Sequence, residues 1–301
     1  MAKRVIYPGL IACVVLLVAT AFAESGDQGS TPKPQTEPVP EISFQLVDYH
    51  VHLKGGLTLE QAIEHSKKTG IRFGIAENCG VGFKVTDDAG LKSYLATLEG
   101  KPVYKGMQAE GREWVTMFSK DAIARFDYVF TDAMTFTDRK GRRTRLWIPA
   151  EVHIEDKQDF MDMYVERIVA IFNHEPIDIY ANPTFLPQVI AGEYDTLWTE
   201  QRMDKVINAA VKNGVAIEIN ARFRIPSAKF IKWAKAAGVK FSCGTNNGDA
   251  NLGSIEYCRR MIHECGLTKE DFFTPKPDGQ KPVQRKGLPS HPTDQPAARK
   301  S

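Results

Sequence analysis

Between residues 42 and 274, short apolar or β-branched runs alternate with longer amphipathic ones. The short runs predict strands over 44–53, 73–78, 103–110, 128–134, 178–183, 216–221 and 240–246, because a near-continuous apolar run suits a strand covered on both faces. The longer stretches predict helices over 58–69, 160–173, 199–213, 227–237 and 252–265, with weaker helical patterns over 87–98 and 119–125. Thr58 followed three residues later by Gln61 is a capping-box spacing, and Gly70, Gly214, Gly238 and Gly266 stand where helices should close. Strands alternating with helices imply a parallel sheet with right-handed crossovers. Seven such units suit a TIM-like α/β barrel better than an open sheet. Residues 135–154 break the alternation and read as a loop insertion carrying Trp147.

The flanking segments differ in kind. Lys3 and Arg4 precede an apolar run over 10–23 that ends Ala21-Phe22-Ala23. This is the layout of a secretory signal peptide cleaved after Ala23, which predicts a secreted or periplasmic protein with no membrane attachment after cleavage. An uncleaved N-terminal anchor is the alternative, but the run is short for a span and Pro8 and Gly9 interrupt it. Residues 24–41 hold one aliphatic side chain, Val39, among prolines and charges, and read as a disordered tether. Residues 275–301 read as a disordered basic tail, with Lys276, Lys281, Arg285, Lys286, Arg299 and Lys300 against Asp278 and Asp294. The 42–274 segment is then the folded domain. Apolar residues at 43% and charged residues at 25% describe a globular chain. The near-balance of 39 basic and 37 acidic residues lacks the excess that phosphate neutralisation requires, which argues against nucleic acid as a partner. Five irregularly spaced cysteines do not make a disulfide framework. Cys258 and Cys265 are too far apart along one helix to bridge, whereas Cys79 and Cys243, near strand ends, could form a bridge or stay as buried thiols.

Catalytic groups of a (β/α) barrel sit at the C-terminal strand ends. All seven predicted strands end in polar or chargeable residues. In order these are His50 and His52; Glu77 and Asn78; Gln108, Glu110 and Arg112; Asp132; Asn182; Glu218, Asn220 and Arg222; and Asn246, Asn247 and Asp249. His-x-His on a strand puts both imidazoles on one face, where they can chelate one divalent ion. A hydrogen-bonded histidine pair is the structural alternative.

Asp48-Tyr49-His50-Val51-His52, a glycine-containing loop, a helix ending Ser-Lys-Lys-Thr-Gly and a strand ending Ala-Glu-Asn resemble the opening of the polymerase-and-histidinol-phosphatase (PHP) superfamily, which begins D-x-H-x-H. The segments K-G-M-Q-A-E-G, F-D-Y-V-F-T-D-A-M, I-D-I-Y-A-N-P, V-A-I-E-I-N and G-V-K-F-S-C-G-T-N-N-G-D follow in the family's order up to Asp249. The resemblance implies a distorted seven-stranded barrel, two or three transition metals and phosphoester hydrolysis. It also marks departures. His50 and His52 match, but Glu77-Asn78, Gln108, Met134, Asn182, Asn246 and Gly248 fall where the family carries metal ligands. A divergent member with fewer than three ions is the expectation.

The remaining donors could still build a reduced site. His50 and His52 with Glu77, Glu110 and Asp132 suit Zn²⁺, Mn²⁺ or Fe²⁺ with an open water position. Glu110, Asp132 or Asp249 could serve as general base, and Glu218 either ligates or braces Asn220. Lys54, Arg112, Asn182, Arg222 and Asn246 are the expected contacts for a small anionic substrate, arginine through paired hydrogen bonds. Lys84 and Arg224 add charge to the same face, although any of these cations could instead neutralise loop carboxylates. Trp114 and Trp147 could stack on a sugar or a base, or simply pack. His153 and Cys79 are further possible ligands. Three functions fit: a secreted metal-dependent phosphoesterase, a catalytically degenerate barrel that binds a ligand, or another metal-dependent barrel chemistry such as amide or sugar-ring hydrolysis or a lyase reaction. Substrate identity and oligomeric state stay open.

Overall fold

Each of the seven apolar runs is a strand in the computed structural model, which describes residues 42–289 apart from Arg139. In chain order the strands are β1 (Val47–Val51), β2 (Arg72–Gly80), β3 (Tyr104–Glu110), β4 (Tyr128–Thr131), β5 (Thr135–Thr137), β6 (Arg143–Arg145), β7 (Ile179–Tyr180), β8 (Ala216–Asn220) and β9 (Phe241–Gly244). A closed barrel runs β1-β2-β3-β4-β7-β8-β9, all neighbours parallel, with β9 returning to β1. The expected signal peptide and tether lie outside the described residues. Among the described residues no helix is long and apolar enough to cross a membrane.

The helices start where the sequence supplies caps. Helix α1 (Leu59–Thr69) opens on the Thr58–Gln61 capping box and closes at the left-handed Gly70. Helix α2 (Asp88–Thr97) is capped by Asp87. Two short turns, α3 (Trp114–Met117) and α4 (Lys120–Ile123), precede β4. Asp156 accepts from two backbone amides of α5 (Lys157–His174). Beyond the short α6 (Tyr194–Leu197), Thr199 caps α7 (Glu200–Asn213) and Ser227 caps α8 (Ala228–Ala236). Each such cap stabilises its helix by about 1 kcal/mol. Helix α9 (Glu256–Glu264) completes the ring.

Two cores result. The larger lies between barrel and helices, around Ile75, Met107, Val129, Ile217 and Ile219. The smaller fills the lower barrel interior with Tyr49, Tyr128, Phe130, Ile179 and Phe273. Gly74 and Gly106 make room there, since a Cβ on either would stand 2.3 Å from the Tyr128 hydroxyl. That hydroxyl donates to the Tyr49 carbonyl at 2.6 Å and ties β4 across to β1. These side chains plug the barrel interior below the strand ends.

Two segments differ from expectation. The insertion after β4 contains an antiparallel β5–β6 hairpin. The start of the basic tail is folded: α10 (Pro282–Lys286) buries Val283, and Lys286 Nζ donates to the Phe172 carbonyl at 3.2 Å. The ordered domain therefore extends past the predicted boundary at Thr274. One apolar residue among prolines and cations leaves no periodic signal. All four described cysteines are free and buried, so Cys79 and Cys243 do not bridge.

Candidate functional site

The open end of the barrel is a cleft of about 830 Å³, lined by strand-end residues and the loops above them. Its geometry begins with an irregularity in β1. The register with β2 shifts between Asp48 and Val51, so strict alternation is broken. Tyr49 joins the interior core, and His50 also turns inward, with its ring 4.7 Å from that of Phe130. His52 follows on the same side, its ring 5.1 Å from the His50 ring. Asp48 points outward and fastens the seventh barrel strand by accepting from Thr245 Oγ1 at 2.6 Å.

Both imidazoles are fixed through Nδ1. His50 Nδ1 lies 2.6 Å from Glu218 Oε1, with both side chains 2% exposed. Burial pushes the Glu218 carboxyl up, but the His50 charge and hydrogen bonds from His50, Asn220 and the Asn182 amide outweigh it and hold its pKa below the usual value. His52 Nδ1 lies 2.9 Å from the Ala76 carbonyl, which can only accept, so Nδ1 carries the proton. Burial, then the charges of His50 and Lys54, drive the His52 pKa well down and keep it neutral. His50 Nε2 is buried without a partner, and so is Gln108 Oε1.

The acidic residues are satisfied by amides. Asn78 Nδ2 donates to Glu110 Oε1 at 2.6 Å, and Asn182 Nδ2 donates to Asp132 Oδ2 at 2.7 Å. Asn182 Oδ1 in turn accepts from Asn220 and Asn246, each at 2.9 Å. Asn182 and Asn246 hold positive φ values of 47° and 49°, a conformation asparagine tolerates better than most residues. Burial and the neighbouring Asp132 push Glu110 up to about 8. Burial raises Asp132 as well, against hydrogen bonds from Met134 and Asn182.

Among the described residues, no three His, Cys, Asp or Glu side chains form a group that could hold a metal ion. This corrects the five-ligand expectation for His50, His52, Glu77, Glu110 and Asp132. Glu77 pairs with Lys84 at 2.9 Å, and the other two carboxylates are held by amides. Near the two imidazoles, His50 Nε2 and Gln108 Oε1 are buried polar atoms without a hydrogen-bond partner.

Two other expected site residues are placed elsewhere. Arg112 is 1% exposed and absent from the cleft wall. Its guanidinium meets Glu175 at 2.6 Å, Thr131 Oγ1 at 2.8 Å and the Asp132 carbonyl at 2.9 Å, so it props the end of β4 from behind. Asp249 is exposed outside the cleft, where its carboxylate accepts from the Asn251 amide at 2.8 Å in a loop turn. Trp114 is fully buried and donates to Glu175 at 2.7 Å, and His153 is exposed away from the cleft. Cys79 is buried and its thiol is turned to the Glu77 carbonyl at 3.3 Å.

The remaining expected residues do converge. Lys54, Glu110, Asp132, Asn182, Arg222 and Asn246 all line the cleft. Its aromatic wall of Phe83, Phe185 and Phe223 was not legible in the sequence, because single aromatics in loops carry no periodic signal.

Fold and site together define a closed seven-stranded (β/α) barrel with a polar cleft at the C-terminal strand ends. No family model matches the chain, and no curated protein matches it in sequence. Among solved structures it is similar to the histidinol phosphate phosphatase of Lactococcus lactis subsp. lactis, crystallised with zinc, L-histidinol and phosphate. The TM-score is 0.57 at 15% identity, over 74% of this chain and 95% of that one. At that identity the likeness speaks for the fold.

Proposed function

We propose that the chain is a divergent, exported member of the PHP superfamily that hydrolyses a small anionic phosphoester at the barrel mouth, with one divalent ion on His50 and His52. The observation that carries this reading is the clamp of Glu218 on His50 Nδ1. It leaves Nε2 buried and without a hydrogen-bond partner, and an imidazole held through Nδ1 by a carboxylate is the arrangement that orients metal-ligating histidines. The likeness to a phosphatase crystallised with zinc supports the same direction. A divalent ion there would supply Lewis acidity and a water of lowered pKa. The chain's own residues do the rest. Lys54 and Arg222 attract the anion, and Glu110 and Asp132, held by Asn78 and Asn182, are placed for proton transfer.

The pairing of both carboxylates with amides favours a second reading, a metal-free barrel that only binds its ligand. Metal analysis and p-nitrophenyl phosphate turnover separate the two, using wild type, His50→Ala and His52→Ala purified after metal-supplemented expression. The hydrolase reading expects about one equivalent of transition metal in wild type, lost together with turnover in both variants. A metal-free, inactive wild type overturns it.

A further inference from the structure

The cleft has two chemically unlike ends, and together they specify a ligand class. The floor presents Glu110 and Asp132 beside the amides of Asn78 and Asn182. Carboxyl and amide groups in such a row both accept and donate hydrogen bonds, which matches a group that carries several hydroxyls. The rim presents Lys54, half-buried, with no hydrogen bond or ion pair from its ammonium group among the described residues. Two other rim cations are paired, Lys84 with Glu77 and Arg145 with Glu151, whereas Arg222 gives one arm to the Asn246 carbonyl at 3.2 Å and keeps its charge for the same anion. Lys54 feels the charges of Glu110 and Glu77 but hydrogen-bonds to neither among the described residues, so its partly desolvated ammonium keeps its donors for a ligand anion.

The walls add shape. Phe83 lies on the loop after β2, and Phe185 and Phe223 lie on loops across the barrel. Trp147, 40% exposed, stands at the mouth. Phe185 and Phe223 meet edge to face, at 4.8 Å and 66°, so they offer no parallel slot for a flat base. Isolated aromatic faces above a floor of amides and carboxylates instead suit the C–H faces and hydroxyl edges of a sugar ring. We propose that the ligand is an anionic monosaccharide unit, its hydroxyls on the Glu110–Asp132 floor, its ring against Trp147 and its carboxylate or phosphate on Lys54. This deepens the hydrolase reading and rests on the same cleft.

The test is calorimetric titration of the chain with the uronates and the 6-phosphates of glucose, galactose and mannose, and with the neutral sugars and inorganic phosphate. Wild type, Trp147→Ala and Lys54→Met are compared. At least one anionic sugar should bind tenfold or more tightly than both its neutral parent and inorganic phosphate. Trp147→Ala, at an exposed position, should weaken it about tenfold. Lys54→Met should erase the advantage over the neutral sugar. A preference for uronates over phosphates, or the reverse, identifies the anion. Equal binding of inorganic phosphate and sugar phosphate, equal binding of neutral and anionic sugars, or no sugar binding at all overturns the proposal. Sugar binding without metal or turnover sinks only the hydrolase reading. Turnover of p-nitrophenyl phosphate without sugar binding sinks only this one.

Discussion

Replacing Arg112 by methionine removes one half of an ion pair that is 1% exposed on both sides. The methionine stem fills most of the aliphatic volume, so the loss is chiefly electrostatic. Glu175 keeps the Trp114 indole N–H at 2.7 Å but loses the guanidinium at 2.6 Å. Thr131 Oγ1 and the Asp132 carbonyl lose a shared donor as well. Removing one partner of a buried pair costs about 3–5 kcal/mol, a large part of the ~5–15 kcal/mol that holds a domain folded. Glu175→Gln keeps the shape and an acceptor for the indole, and should cost less, about 1–3 kcal/mol. The double variant removes both charges of the pair, so its cost should fall well short of the sum of the two single costs. Urea unfolding followed by tryptophan fluorescence gives all three values, and the double-mutant cycle isolates the pair. If Arg112→Met costs less than about 1 kcal/mol, or if the two changes simply add, Arg112 is not the buried strut described and its charge is free for substrate.

Two further changes probe the site and the barrel. A Cβ on Gly244 would stand 2.0 Å from Glu218 Oε1 and 2.7 Å from His50 Cβ. Gly244→Ala should therefore force the carboxylate off the imidazole and cost about 1–3 kcal/mol, and wild-type stability in urea unfolding would contradict the close approach. Asp178 is a buried carboxyl whose pKa burial pushes from 3.8 to about 7, against a hydrogen bond from the Val129 amide and the charges of Lys281 and Lys276. The raised folded-state pKa means its stabilisation is complete below about pH 4 and is lost as pH rises through 7, by up to about 4 kcal/mol. Asp178→Asn keeps an acceptor for Val129 and does not ionise, so it should gain on wild type between pH 4.5 and 7.5. An unchanged stability gap at the two pH values refutes the assignment.

The barrel was legible because its strands are apolar on both faces and its helices carry caps: Thr58, Asp87, Thr199 and Ser227 stand where the helices begin. Strand-end polarity located the cleft for the same topological reason. Side-chain direction was not legible. Alternation alone would put Tyr49 and His50 on opposite faces of β1, and only the register shift against β2 turns both inward. Arg112 looked like a substrate contact because it is a cation at the third strand end, yet left-handed Gly111, with φ 72°, precedes it and the guanidinium is turned away to Glu175. A partner on a distant α5–β7 connection leaves no local trace in sequence. Asp249 was misplaced by the same limit, since its loop leaves the barrel axis after Asn247.

The amides explain why so few classical ligands can coexist with so polar a floor. Two buried carboxylates facing one cleft need compensation from cations or from hydrogen-bond donors. In this barrel Asn78 and Asn182 supply donors to Glu110 and Asp132, and Asn220 and Asn246 converge on Asn182 Oδ1. The floor is thus held in shape without an ion. Among the described residues, the buried atoms left without a hydrogen-bond partner include His50 Nε2 and Gln108 Oε1. Any metal dependence must therefore enter on the His50–His52 side of the cleft, while the Glu110–Asp132 side is already organised to meet hydroxyl groups. Removal of metal should then abolish turnover and leave sugar binding in place, which ties the two proposals to opposite halves of one site.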